Sequence, residues 1–120
     1  MNENVLKNKS FKFAKRIINL SKLLNEKKEY ILNKQILRSG TSIRAMVRES
    51  EYAESKADFI HKLSIGLKEA NETEYWLDLL FESKFLDMKS YQSLSSDAKE
   101  LLKLLISIIK PTKQNQKNNC

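Results

Sequence analysis

The chain has 120 residues, a formal net charge of +7 at pH 7, and only two glycines, one proline and one cysteine. This length fits a single domain, and the scarcity of turn-forming residues excludes a sheet protein with many short strands and favours a few long helices. The excess of positive charge predicts an anionic partner, whereas the single Cys120 excludes an intramolecular disulfide and a cysteine-based metal site.

The first predicted helix runs from about Val5 to Asn25 and has one apolar face. Apolar residues recur along it with the periodicity of an amphipathic helix; they are Leu6, Phe13, Ile17, Leu20 and Leu24. The basic residues of this segment fall on the other side: Lys12, Lys15, Arg16 and Lys22. Residues 1–28 carry a net charge of +6, so the basic side is where an anionic partner is expected.

The second predicted helix covers about Tyr30 to Ala53 and includes the turn-like sequence SGTS. The helical periodicity nevertheless continues through this sequence. One face holds Ile36, Gly40, Ile43 and Val47, and the basic residues lie on or beside the opposite face: Lys34, Arg38, Arg44 and Arg48. A glycine in mid-helix costs about 1 kcal/mol relative to alanine, so Gly40 predicts the close approach of a neighbouring helix. The segment is therefore predicted to be continuous helix rather than a phosphate-binding loop.

The third predicted helix begins at the sequence SKAD and ends near Ser83. Ser55 and Asp58 fit a capping box, in which the two side chains bond to free backbone N–H groups at the start of a helix. One stripe of core residues follows: Phe59, Leu63, Gly66, Ala70, Thr73, Leu77 and Phe81. Its centre consists of small residues, as in the second helix, which predicts that these two helices cross closely.

A second stripe runs along the third helix, and it contains the only tryptophan of the chain. Its members are Ile65, Glu69, Glu72, Trp76 and Leu79. A surface helix needs only one apolar face to join a core, so this stripe has two interpretations. Trp76 is either a core residue of a slightly rotated helix or the centre of a subunit interface, where aromatic residues are enriched.

The fourth predicted helix begins at about Asp87 or Ser96, with Ser95 or Ser96 as the N-cap. Pro111 is expected to end it, since proline is common just after a helix. Residues 111–120 are polar and lack periodicity, so they are predicted to be a disordered tail. Four helices with short connections predict an all-α, antiparallel up-down four-helix bundle over residues 1–110.

No residue pattern predicts catalysis, a cofactor or a metal site. His61 is the only histidine, and the pair Glu69 and Glu72 lacks the nearby histidine that carboxylate di-metal sites in bundles use. SGTS lacks the spacing of a phosphate loop. There is no signal-peptide pattern, and the apolar segment 101–109 is too short to cross a bilayer and contains a lysine. We therefore expect a non-enzymatic, cytoplasmic protein without membrane contact.

The basic residues form two groups, which are Lys12, Lys15 and Arg16 on the first helix and Lys34, Arg38, Arg44 and Arg48 on the second. One interpretation is contact with the phosphates of RNA or DNA. The other is a solvated face, with the arginines of the second helix paired to Glu69 and Glu72. Because no aromatic residues alternate with the basic ones, base stacking is not predicted, and any binding is expected to show little sequence preference.

The stretch from Leu37 to Leu80 resembles a bacterial four-helix bundle family known from open reading frames in intervening sequences of large-subunit ribosomal RNA genes. The resemblance is carried, in order, by RSGTSI, VRE, S-x-ADFIHKLSI (with lysine at x) and KEANETEYWL. It extends more distantly to the accessory variability determinant of diversity-generating retroelements. The sequence departs from the family pattern at Arg44 and Met46, where glycine and asparagine are expected.

The resemblance implies an up-down four-helix bundle that assembles as a homopentameric, barrel-like ring without enzymatic activity. The retroelement relative uses a basic barrel to bind nucleic acid and a reverse transcriptase. Together with the charge distribution, this leads to the hypothesis of a basic, non-catalytic homo-oligomer that binds RNA or DNA. The alternative is a protein-interaction scaffold that recruits a partner enzyme, such as a reverse transcriptase, without contacting nucleic acid itself.

Overall fold

The computed structural model describes residues 2–118, and the side chains of residues 3–117. Four helices account for the ordered elements of this part: α1 (Asn2–Glu26), α2 (Ile31–Ser50), α3 (Lys56–Glu82) and α4 (Met88–Asn118). Each helix packs against the next one in the chain, and α1 also packs against α4. The short connections make neighbouring helices antiparallel. The predicted all-α four-helix bundle is therefore confirmed for the described residues.

The core follows a repeat of 3.5 residues, the spacing of helices that pack at small crossing angles. The buried positions of α1 that follow this repeat are Leu6, Ser10, Phe13, Ile17, Leu20 and Leu24, and Ser21 is buried beside them. Those of α3 are Ile60, Leu63, Gly66, Ala70, Thr73, Leu77 and Leu80. The predicted stripe of α3 is correct at its centre but wrong at both ends, where Phe59 and Phe81 are only half-buried, because a 3.6-residue period drifts away from a 3.5-residue repeat.

The sequence SGTS lies inside α2, as predicted, and both glycines mark close helix contacts. A Cβ atom on Gly40 would lie 2.7 Å from Cγ1 of Ile17, so the close neighbour of Gly40 is α1. A Cβ atom on Gly66 would lie 3.5 Å from Cβ of Met46 and 3.8 Å from the Ile43 carbonyl oxygen of α2. The small residues of α3 therefore do approach α2, whereas the glycine of α2 serves a different contact.

The chain adopts the same backbone conformation just after α1 and just after α3, and the sequence does not predict it. Lys28 and Lys84 have positive φ angles of 62° and 68°, the left-handed conformation that ends many helices and that glycine usually occupies. The start of α3 is as predicted. The Asp58 N–H donates to the Ser55 hydroxyl at 3.0 Å, and the Glu54 N–H donates to the Asp58 carboxylate at 3.1 Å.

The predicted end and the predicted serine N-cap of α4 are wrong, whereas the earlier of its two predicted starts, near Asp87, is correct. The helix begins at Met88, and the Ser90 N–H donates to the Asp87 carboxylate at 2.7 Å, which holds the pKa of Asp87 below its ordinary value. Ser95 is buried inside the helix and is not its cap. The helix begins before Ser95 and Ser96 because the Asp87 carboxylate already accepts a hydrogen bond from a free N–H group at Ser90.

α4 also continues through Pro111 to Asn118, so the prediction of a disordered tail is wrong for residues 111–118, and Cys120 lies outside the described residues. Proline removes the hydrogen bond to the carbonyl four residues earlier. Here that carbonyl belongs to Ser107, and both residues are exposed, so water can replace the bond. The Thr112 hydroxyl donates to the Ile108 carbonyl at 2.7 Å.

Candidate nucleic-acid interface

Arg16 is held between α1 and α4. Its guanidinium donates to the Asp97 carboxylate at 2.5 Å and to the Ser93 hydroxyl at 2.9 Å. Nearby, the Lys9 ammonium donates to Glu100 at 2.6 Å and makes a second ion pair between the same helices. Arg16 therefore cross-links the bundle, and its charge is largely offset before any phosphate could approach.

Arg38 is engaged in a similar way with α3. It donates to the Glu69 carboxylate at 3.0 Å and also to the Glu72 carboxylate. The Trp76 indole N–H donates to the same Glu72 carboxylate at 3.1 Å. The structure thus brings Arg38 together with three residues of the second α3 stripe. Of the two interpretations, pairing with glutamates of a neighbouring helix describes Arg38.

Five other cations on the outer sides of α1 and α2 differ from Arg16 and Arg38. Their side chains are exposed, and none forms an ion pair with a carboxylate in the described part of the chain. We call this surface the basic face; it comprises Lys12, Lys15, Lys22, Lys34 and Arg48. Lys22 is not among the binding residues predicted from the sequence, although its spacing of seven residues from Lys15 places both on one side of the helix.

Arg44 lies at the seam between α1 and α2, beside the basic face. It is half-buried, and its Nε and Nη1 atoms are buried without a hydrogen-bond partner. The contact between Gly40 and Ile17 and the ion pair between Lys7 and Glu51 place it level with the middle of α1. Arg44 forms no ion pair with a carboxylate among the described residues, so it adds positive potential to the basic face.

The second stripe of α3 lies at the edge of the core. Ile65, Trp76 and Leu79 are half-buried, and the Tyr75 ring, which is 54% exposed, lies 4.9 Å from the Trp76 ring. Trp76 is therefore neither fully buried in the core nor fully exposed. We call this surface the α3 patch; it comprises Ile65, Glu69, Glu72, Trp76 and Leu79.

The exposed charges of the basic face are suited to electrostatic contact with a partner. Within residues 3–117, no group of three His, Cys, Asp or Glu side chains could hold a metal ion, and His61 is exposed on α3. None of the described helices is both long and apolar enough to cross a membrane. The basic face can bind anions through point charges on lysine and through the guanidinium fork of arginine.

Comparisons with known proteins agree with this fold. The chain is 59% identical to a protein of unknown function from the S23 ribosomal protein family of Bacteroides thetaiotaomicron VPI-5482, whose crystal structure superposes with a TM-score of 0.90. The match covers 92% of this chain and 99% of that one. No curated protein matches. A family model described as 23S rRNA-intervening sequence protein matches residues 2–107. The chain therefore belongs to the 23S rRNA-intervening sequence protein family.

Proposed function

We propose that this protein is a non-catalytic homo-oligomer that binds RNA or DNA by contacting backbone phosphates with its basic face. The observation that carries this proposal is the separation of paired and unpaired cations. Arg16 and Arg38 are consumed in contacts between helices, whereas the five residues of the basic face have no acidic partner in the described part of the chain. The family's association with 23S rRNA intervening sequences is compatible with a role involving nucleic acid.

Binding by this face is expected to depend on charge and to ignore sequence. Lysine contacts phosphate as a compact charge, and such contacts fix a protein on the backbone without reading bases. Lys15 and Lys22 are about 10 Å apart along α1 at 1.5 Å per residue, which lets them reach separate phosphates. The energy comes from counterions released from the nucleic acid.

Removing charge from the basic face tests this assignment. We expect Lys12→Gln/Lys15→Gln/Arg48→Gln to weaken binding of a labelled random-sequence duplex, RNA or DNA, by about tenfold or more at roughly 0.1 M salt, measured by fluorescence anisotropy. Lys68→Gln/Lys84→Gln/Lys89→Gln removes the same charge from exposed lysines elsewhere and is the matched control. Equal losses in the two variants would show that net charge, and not this face, governs binding.

The oligomer is proposed to form through the α3 patch, and the family resemblance suggests a pentameric ring. Arg38 offsets one of the two negative charges of this patch, and the half-buried Ile65, Trp76 and Leu79 supply apolar contact. Interface aromatics often contribute at least 2 kcal/mol to association. The patch is therefore suited to contact with a second copy rather than with a polyanion.

We expect Trp76→Ala to shift the mass measured by light scattering from oligomer toward monomer while the helical circular dichroism is kept. Tyr30→Ala is the control, because Tyr30 is 60% exposed and lies outside the α3 patch. A mass unchanged by Trp76→Ala would place the subunit contact elsewhere.

One observation supports the alternative of a scaffold that recruits a partner protein. Phe11 and Ile18 on the outer side of α1 are 55% and 42% exposed, and the Lys15 ammonium lies 5.8 Å from the centre of the Phe11 ring. Apolar groups among lysines suit an acidic protein surface. Under this alternative the purified protein binds no nucleic acid even at low salt, and Phe11→Ser/Ile18→Ser abolishes recruitment of the partner.

A further inference from the structure

The C-terminal half of α4 carries four lysines and no acidic residue. After Glu100 the sequence contains neither aspartate nor glutamate. The lysines follow at steps of seven, three and four residues, which places them on one side of the helix. We call this set the α4 arm; it comprises Lys103, Lys110, Lys113 and Lys117. All four are exposed, and none forms an ion pair with a carboxylate among the described residues.

The arm extends beyond the packed core of the bundle. Among the side chains of α4 that the structure describes, Ile108 and Ile109 are the last buried ones, yet the helix continues to Asn118. The extension buries little apolar surface, since Pro111 and most of the residues after it are exposed. The lysines near its C-terminus favour the helix by offsetting its dipole. From Lys103 to Lys117 the helix spans about 21 Å at 1.5 Å per residue, so the charges stand in a line held by a continuous helix.

The arm belongs to α4, whereas the basic face belongs to α1 and α2. The seam between α1 and α4 is closed by two ion pairs, Arg16 with Asp97 and Lys9 with Glu100. Lys99, one turn before the arm, lies near α3. There, burial raises the pKa of Glu74 and the neighbouring Lys99 opposes that increase. The arm therefore begins where the acidic residues of α3 and α4 no longer offset the lysines.

We infer that the α4 arm is a second surface for nucleic-acid phosphates, separate from the basic face. This inference rests on the proposed function for the class of ligand. A duplex carries one charge per about 1.7 Å of its axis, so a line of four lysines always faces several phosphates. A lipid surface fits less well, because an interfacial helix needs an apolar side, and the residues beyond Pro111 include Thr112, Gln114 and Asn115.

The test uses the full-length chain and charge-neutral substitutions outside the core. We expect Lys110→Gln/Lys113→Gln/Lys117→Gln to weaken binding of a random-sequence duplex about tenfold or more at roughly 0.1 M salt and to reduce the slope of log K against log salt by about 2 to 3. The control Lys68→Gln/Lys84→Gln/Lys89→Gln should change affinity less than the arm variant. The variant with arginine at the three arm positions should bind like the natural chain, which separates charge from helix stability.

The outcomes distinguish failure of the α4 arm from failure of the proposed function. An arm variant that binds like the control overturns this inference, and it leaves the proposed function intact if the basic-face variant still loses affinity. Loss of binding to phosphatidylserine vesicles without loss of binding to the duplex also overturns it, in favour of a lipid surface. A natural chain that binds no duplex at low salt overturns both proposals together.

Discussion

Gly40→Ala is expected to destabilise the bundle, whereas Gly66→Ala is expected to stabilise it, although both glycines are buried in the middle of a helix. A Cβ atom on Gly40 would lie 2.7 Å and 2.9 Å from the two γ carbons of Ile17, a fully buried side chain. Ile17 is branched at Cβ and cannot turn away cheaply. Overpacking of this kind costs about 1–3 kcal/mol, which exceeds the gain of about 1 kcal/mol in helix propensity.

Gly66 differs because it has room for a methyl group. A Cβ atom there would meet Met46 at 3.5 Å and Leu105 at 3.8 Å, which are ordinary contacts. Gly66→Ala should therefore raise the free energy of unfolding by up to about 1 kcal/mol. Both variants are compared by urea denaturation at one protein concentration. If Gly40→Ala proved as stable as the natural chain, the close contact between α1 and α2 would be wrong.

Asn33→Ala is expected to cost about 2–3 kcal/mol, because it removes the centre of a buried hydrogen-bond network. The Asn33 amide donates to the Ser21 carbonyl at 3.2 Å and to the Asn25 side-chain oxygen at 3.0 Å, and its own oxygen accepts from the Ser21 hydroxyl at 2.6 Å. Both Asn33 and Ser21 are buried. Truncation leaves the Ser21 hydroxyl without its acceptor where water has little access.

The matched control is Asn71→Ala, at an exposed asparagine in the middle of α3. At this position only the difference in helix propensity between asparagine and alanine acts, and it should raise the free energy of unfolding by up to about 0.7 kcal/mol. The two free energies of unfolding, measured in the same denaturant series, should therefore change in opposite directions. If the free energy of unfolding changed by the same amount in Asn33→Ala and Asn71→Ala, the buried network would contribute no net stability.

Most of the fold follows from periodicity, since apolar and small residues recur through SGTS without a break and predict continuous α2. The wrong predictions concern helix ends, where a single hydrogen bond or one backbone conformation decides the outcome and composition does not reveal it. Pro111 predicts a helix end, yet its missing bond lies on the solvent side, and α4 continues. Lys28 and Lys84 adopt a conformation typical of glycine, which side-chain identity does not reveal. Asp87, not a serine, caps α4.

The candidate site is harder to predict from the sequence than the fold. Whether a cation is free to bind a ligand depends on its neighbours on other helices. Arg16 and Asp97 are 81 residues apart in the chain, and Arg38 and Glu69 are 31 apart. Helix periodicity places each residue on a face but does not fix the register between two helices. The sequence therefore identifies the cations and leaves open whether Arg38 meets phosphate or glutamate, which the packing of α2 against α3 decides.

The most direct test of nucleic-acid binding through the basic face is the salt dependence of affinity for a random-sequence duplex. Each phosphate contacted contributes about −0.9 to the slope of log K against log salt. We expect a slope of about −3 or steeper for the natural chain, and a shallower one for Lys12→Gln/Lys15→Gln/Arg48→Gln. An affinity independent of salt, or no binding at low salt, would contradict nucleic-acid binding through the basic face.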